Sequence, residues 1–392
     1  MIKKNRPTTP TFFFLSITAI VFALSLQPPG TAFSAEMDRA GFTSATVCAY
    51  CHEDIYESWN RSAHSWSYSD STFMDAYRHA YTDTKGAAKD LCFTCHAPTT
   101  IVTKDFDGAM PITKEGVTCD FCHSVEDVNL SHAATPYKID VGGQKRASMA
   151  LDKSRKFEKT DAAHQAAYAK WFNKSEMCAG CHEITNMKGV VVGGTYSEWK
   201  SSAYSKGDYA KKSVQCQDCH MARIKGNPVN PSVKKIAKDT VPDHSLSHNL
   251  ARLAGSVTLE IVKAERADGG RYVVEMAVTN VKAGHNIPTG LPSSSLTLEV
   301  EAQPAGAGAV IMRKTLGKTV VDAKGSALFS DVDAYIHGAK ISENTSLAPN
   351  EKRVVKFDFA SIPQGKVSVT GKAYLSNSTH NSHIPLASVE KK

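Results

Sequence analysis

CAYCHEDIYESWNRSAHS, residues 48–65, holds two histidines that cannot share one task. His52 closes a Cys48-Ala49-Tyr50-Cys51-His52 motif, and His64 follows twelve residues later. Along a single helix that gap is about 18 Å at ~1.5 Å per residue, so no one metal reaches both. A near copy, YSEWKSSAYS at 196–205, puts Tyr204 where the first stretch has His64.

The same motif recurs until every cysteine is used. The chain's ten cysteines form five C-x-x-C-H copies: Cys48/Cys51/His52, Cys92/Cys95/His96, Cys119/Cys122/His123, Cys178/Cys181/His182 and Cys216/Cys219/His220. C-x-x-C-H is the attachment signature of c-type haem. Two thiols add to the two vinyl groups of a porphyrin, and the histidine directly after them lies beneath the iron as proximal ligand. Paired C-x-x-C zinc sites do not require a histidine after each second cysteine. Structural disulfides would not produce this regular spacing. The expectation is five covalently bound haem c groups.

That expectation sets the class of the first half. Five haems within residues 48–220 leave little chain for an aliphatic core, so the porphyrins become the core, wrapped by short helices and loops. A helical pattern is expected over Asp161–Phe172, with Ala163, Ala166, Ala167, Ala169 and Trp171. Residues 36–254 read as a mostly α and irregular pentahaem domain.

Fifteen histidines minus five proximal ones leave ten to supply second axial ligands. A low-potential carrier favours histidine on both iron faces, because a filled sixth position keeps the geometry nearly constant on reduction. His64 sits amid Tyr56, Trp59 and Ala63, too far from its own motif, so it should serve a neighbouring haem. His164 lies just before the fourth motif. His244 and His248 follow the fifth, and His285 sits in a Gly/Pro loop, Ala283-Gly284-His285-Asn286-Ile287-Pro288-Thr289-Gly290. His79 and His132 are weaker candidates, and His337, His380 and His383 read as surface residues. The haem that position 204 would serve either takes a histidine from downstream, the favoured reading, or keeps an open iron beneath Tyr204.

Residues 1–35 read as a signal peptide: Lys3, Lys4 and Arg6 precede an apolar run, Phe12–Leu26, and small residues at Ala32, Ser34 and Ala35. The run is shorter than the ~20 apolar residues a bilayer span needs. A periplasmic or extracellular protein with no integral membrane segment after cleavage is expected. The formal charge of +7 includes the three basic residues of that segment, leaving +4. Lys211-Lys212 and Lys234-Lys235 are only short pairs, so no nucleic-acid partner is expected.

After Ala254 the pattern changes. Val257, Leu259 and Ile261 alternate, Ala267-Asp268-Gly269-Gly270 marks a turn, and Tyr272–Val278 runs on. Leu296, Leu298 and Val300, then Val355, Phe357 and Phe359, then Val367 and Val369 alternate again. Short strands with turn signals argue for an immunoglobulin-like β-sandwich over 255–392, without cysteine or catalytic constellation.

The phrases CHEDIYESWNRSAHS, LCFTCHAP, EGVTCDFCHSV, CQDCHM and AGHNIPTG resemble multihaem cytochromes of the cytochrome c-554 type. More closely they resemble exported multihaem cytochromes of metal-reducing bacteria with a C-terminal β-domain. The resemblance covers roughly residues 44–290 and more weakly ISENTSLAPNEKRVVKFDF. It implies electron transfer with redox partner proteins or terminal acceptors, in some relatives within haem filaments, and supports His64 and His285 as distal ligands. Three functions compete: a carrier with no chemistry of its own, an oxidoreductase with one open haem acting on a small nitrogen or sulfur compound, and a subunit of a conductive filament. Every motif ends in histidine rather than the lysine of pentahaem nitrite reductases, which favours the carrier.

Overall fold

The computed structural model describes residues 41–132, 136–148, 164–207, 213–235, 237–246 and 253–391. Residues 1–35, read above as a signal peptide, and His248 fall outside them.

From residue 41 to 246 the chain is a succession of short helices. Ser44 caps the helix Ala45–Ala49 by accepting the Thr46 N–H, and Glu115 fastens that cap through Ser44 Oγ at 2.5 Å and the Ala45 N–H at 3.0 Å. The next helix, Glu53–Asn60, stops at Asn60, and residues 61–69 run on in turns. His64 is therefore not on the helix that follows the first motif, as the sequence had suggested. Asp70 caps the longest helix of this half, Ser71–Asp83, by accepting the Phe73 N–H at 2.7 Å.

Four small sheets fasten the helices: β1 (Val125–Val128) with β2 (Tyr137–Ile139), β3 (Lys145–Ala147) with β4 (Ala166–Tyr168), β5 (Ile184–Thr185) with β6 (Val191–Gly193), and β7 (Arg223–Lys225) with β8 (Thr240–Pro242). The helix expected over 161–172 is not there in the described part. His164 lies in a bend, β4 pairs in parallel with β3, and a 3-10 turn covers Lys170–Asn173. The alanines signal helix propensity, but β3 offers backbone partners: Lys145 N–H donates to Gln165 O and the Ala169 N–H to Ala147 O. Tertiary pairing outweighs a propensity worth only tenths of a kcal/mol per residue.

The second half is built mainly of antiparallel strands, as the alternation implied. Three strands make one sheet in the order β15 (Lys352–Phe359), β10 (Tyr272–Asn280), β9 (Val257–Arg266). The other runs β13 (Ala327–Leu328), β12 (Val310–Val321), β11 (Ser294–Pro304), β16 (Val367–Asn377), β17 (Ser382–Lys391), with β14 (Lys340–Asn344) also on β12. Val274, Met276, Val278, Leu296, Leu298, Val300 and Phe357 fill the space between the sheets. A Cβ at Gly371 of β16 would overlap the Met276 sulfur, so glycine there lets the facing strands close. Phe357→Ala should destabilise this half by about 3–5 kcal/mol. Denaturant unfolding followed through the strand circular dichroism should show it, while an unchanged midpoint would mean the core repacks fully.

The two halves are joined by specific bonds. Asn186 Nδ2 donates to Ala334 O at 3.0 Å, on the helix Asp331–His337, and to Gly338 O at 2.7 Å, at that helix's C-cap. Lys318 Nζ, on β12, donates to Val192 O and Gly290 O at 3.0 Å each. Val192, Val320 and Ala334 form a shared apolar cluster between them.

Candidate functional site

Each motif sits on or ends a short helix. Four such helices are Lys89–His96, Cys119–His123, Glu176–His182 and Cys216–His220, and in the first motif Cys48 lies on Ala45–Ala49. Helical spacing puts residues three and four apart on one face, so each pair of thiols and its histidine converge on one side. None of the ten thiols is joined in a disulfide. Burial raises Cys92 to about 11 and Cys122 to about 12, which marks apolar surroundings.

Cys219 differs from the other cysteines in its surroundings. It is exposed, whereas the other nine cysteines are half-buried. The reason is local. The helix Cys216–His220 contributes no buried residue, and the chain leaves it directly into the short, largely exposed strand β7. Thioether formation needs the C-x-x-C-H spacing and not enclosure by protein, so exposure of the fifth motif leaves its chemistry unchanged.

The imidazoles are prepared as ligands. His52 Nδ1 lies 2.6 Å from Pro228 O, His123 Nδ1 2.6 Å from Arg146 O, and His96 Nδ1 3.2 Å from Ser67 O. The same bond recurs at His244 with Pro242 O, at 2.8 Å, and at His285 with Asn286 O, at 2.9 Å. A carbonyl can only accept, so the proton is assigned to Nδ1 and the Nε2 lone pair is left for a metal. Burial pushes His64 and His123 down to about 4, with neighbouring histidines adding to it, so both rings are neutral. These residues fit haem iron.

Distant histidines are brought face to face. His52 meets His164 with ring centroids 6.1 Å apart, His182 meets His64 at 6.2 Å, and His220 meets His285 at 6.3 Å. Two imidazoles approaching one metal from opposite sides, each nitrogen about 2 Å from it, would have centroids roughly 6 Å apart. His244 lies near His123 and His52, lowering the first and being lowered itself chiefly by burial. His79 is exposed, 3.6 Å from Asp333, and His132 is exposed in a turn.

His96 differs. Phe73 lies flat on its ring, with centroids 3.7 Å apart and planes 7° apart. Tyr68, Tyr77 and Phe93 extend the aromatic cluster. Tyr335 reaches it from the far half, and burial beside Cys92 and Cys95 raises its hydroxyl to about 12. Sequence reading missed this group, although Phe73, Tyr77 and Ala80 make an apolar stripe at i, i+4 and i+7.

Thiols of different motifs also meet. Cys48 lies close to Cys119, Cys95 to Cys181 and Cys178 to Cys216. Tyr137, whose hydroxyl is 3.7 Å from Cys181 Sγ, sits beside Cys178 and Cys122. Tyr204 is buried, and a Cβ on Gly284 would stand 3.2 Å from its ring. Position 204 thus packs against the loop of His285.

Residues 47–124 match the family described as cytochrome c554 and c-prime. The fold matches the crystal structure of a penta-haem cytochrome c552 from Thermochromatium tepidum, at 21% identity over 90% of this chain and 100% of that one, with a TM-score of 0.67. A structural-genomics target, 9% identical over 35% of this chain and 86% of its own, has a TM-score of 0.19. A β-glucosidase from Kluyveromyces marxianus, 16% identical over 35% of this chain and 13% of its own, has a TM-score of 0.16. Neither score carries an argument. No curated protein matches the chain. Attachment motifs, imidazoles with free Nε2 lone pairs, the family match over residues 47–124 and the shared fold together support a multihaem c-type cytochrome with covalently bound haem.

Proposed function

We propose that the protein is an exported five-haem electron carrier of periplasmic or extracellular respiration, with mainly bis-histidine iron. The observation that carries this reading is the set of facing histidine pairs, each joining a motif histidine to one far away in sequence. In this reading His164 serves the first motif, His244 the third, His64 the fourth and His285 the fifth. Haem supplies one-electron chemistry, and the chain supplies both axial imidazoles and apolar burial. The thiols mark the haem edges, so their contacts support an order in which the first haem adjoins the third. The fourth adjoins the second, third and fifth. The exposure of Cys219 supports the fifth haem as one that meets a redox partner. Residues 1–35 support export, and among the described residues no helix is long and apolar enough to cross a membrane.

The strand order supports an immunoglobulin-like reading of the sandwich. With β9, β10 and β15 as A, B and E, the other sheet runs C′, C, F, G through β12, β11, β16 and β17. Its role in this reading is to hold the His285 loop and the helix Asp331–His337 against the haem half.

The mature protein should carry five haems by mass and show no titratable thiol. A substoichiometric reductant should give one equilibrating population of reduced haem. A lower mass with free thiols, or haems that never exchange electrons, would overturn the reading. The Phe73–His96 stack favours a second reading, in which the second haem has an open iron and the protein is an oxidoreductase.

A further inference from the structure

The repeat noticed in sequence is a repeated structure. Trp59 Nε1 donates to Val117 O at 2.9 Å, and the Val117 N–H donates back to His64 O at 2.9 Å. In the second copy Trp199 Nε1 donates to Val214 O at 2.8 Å, and the Val214 N–H donates to Tyr204 O at 2.9 Å. Ser65 Oγ donates to the carbonyls of Asn60 and Ser62, and Ser205 Oγ to those of Lys200 and Ser202. Val117 and Val214 each stand two residues before a motif, Cys119 and Cys216. Each unit therefore ties one motif, through its tryptophan helix, to a second: first to third, and fourth to fifth.

The residue just before each tryptophan reaches out of its unit. Ser58 Oγ donates to Asp243 Oδ1 at 3.0 Å, beside His244. Glu198 Oε2 accepts the Asn286 N–H at 3.2 Å and the Thr289 hydroxyl at 2.5 Å, beside His285. From the sandwich side, Asn280 Nδ2 donates to His285 O at 3.0 Å. Without Glu198 the loop would be fixed mainly from that side.

We propose that Ser58 and Glu198 are equivalent positioning residues, each holding the segment that brings the distal histidine to the second haem of its own unit. The inference rests on the assignment of His244 and His285 to the third and fifth motifs. A charged clamp suits the second unit, because Lys318 lies near Glu198 and helps neutralise it. Both loop bonds end on one oxygen of Glu198, so an amide oxygen can replace it.

The test uses the full-length holoprotein and counts high-spin haem by electron paramagnetic resonance, with haem content by mass as the check on folding. His285→Ala should add one high-spin haem to the wild-type count. Glu198→Ala should add a substantial fraction of one, and Thr289→Val a smaller fraction, with all five haems still attached. Glu198→Gln should return the count to the wild-type value. A wild-type count in Glu198→Ala, alongside a full extra haem in His285→Ala, overturns the positioning role and leaves the ligand assignment standing. No change in His285→Ala overturns the assignment, and the proposal with it.

Discussion

His64→Ala should turn one further haem high-spin, and that haem should be the one attached at Cys178 and Cys181. The His64 ring faces His182, a residue 118 positions later, with centroids 6.2 Å apart. Desolvation lowers both rings, so neither is protonated at neutral pH. Alanine removes the sixth ligand and leaves a cavity of imidazole size in apolar surroundings. Attachment should survive, since it needs only the thiols and the proximal histidine. Reduced variant protein should then bind carbon monoxide at one haem more than wild type, and added imidazole should restore the low-spin signal by filling the cavity. If the optical and paramagnetic spectra stay as in wild type, His64 does not ligate the fourth haem.

The sequence revealed this site unevenly, for physical reasons. Covalent chemistry requires a fixed local spacing, so all five motifs could be read directly. That spacing says nothing of how much chain covers each thiol, which is why the exposure of Cys219 came only with the fold. Distal ligation requires only that a ring arrive from anywhere, and no local pattern encodes which motif it meets. His64, His164 and His285 could be named as candidates, but their partners His182, His52 and His220 became visible only in the fold. The strands after residue 256 were legible because alternation is a period-two signal that burial on one face enforces. The segment near His164 was misread as helix because its alanines carry weak local preference, while the parallel partner Lys145–Ala147 is remote. Tyr204 looked like a lost ligand. In the proposed reading His64 reaches forward to the next unit's first haem, and the second unit would have no further haem to reach. A buried tyrosine packed on Gly284 is what that position then requires.

Carbon monoxide should bind the reduced wild-type protein at about one haem in five, and that haem should be the second. His164, His64, His285 and His244 lie with the histidines of the other four motifs. His79 and His337 are turned outward to Asp333 and Asp83. On the helix Ser71–Asp83, about 100° per residue separates His79 from the stripe of Phe73, Tyr77 and Ala80 that packs toward His96. What surrounds the second motif is aromatic, and neutral tyrosine is a poor iron ligand because its hydroxyl ordinarily ionises near 10. Tyr335 is harder still to ionise, since burial beside Cys92 and Cys95 raises it to about 12. An iron held there by His96 alone would be high-spin and open to a small molecule, with Tyr77 or Tyr335 available as a hydrogen-bond donor near it. Cys92→Ser together with Cys95→Ser should leave four haems by mass and abolish the carbon monoxide band. Tyr335→Phe should keep the band and shift the bound molecule's stretching frequency if that hydroxyl faces it. Should the wild-type protein bind no carbon monoxide, a sixth ligand fills the site, His248 would be the first candidate to replace, and the protein would be a carrier throughout.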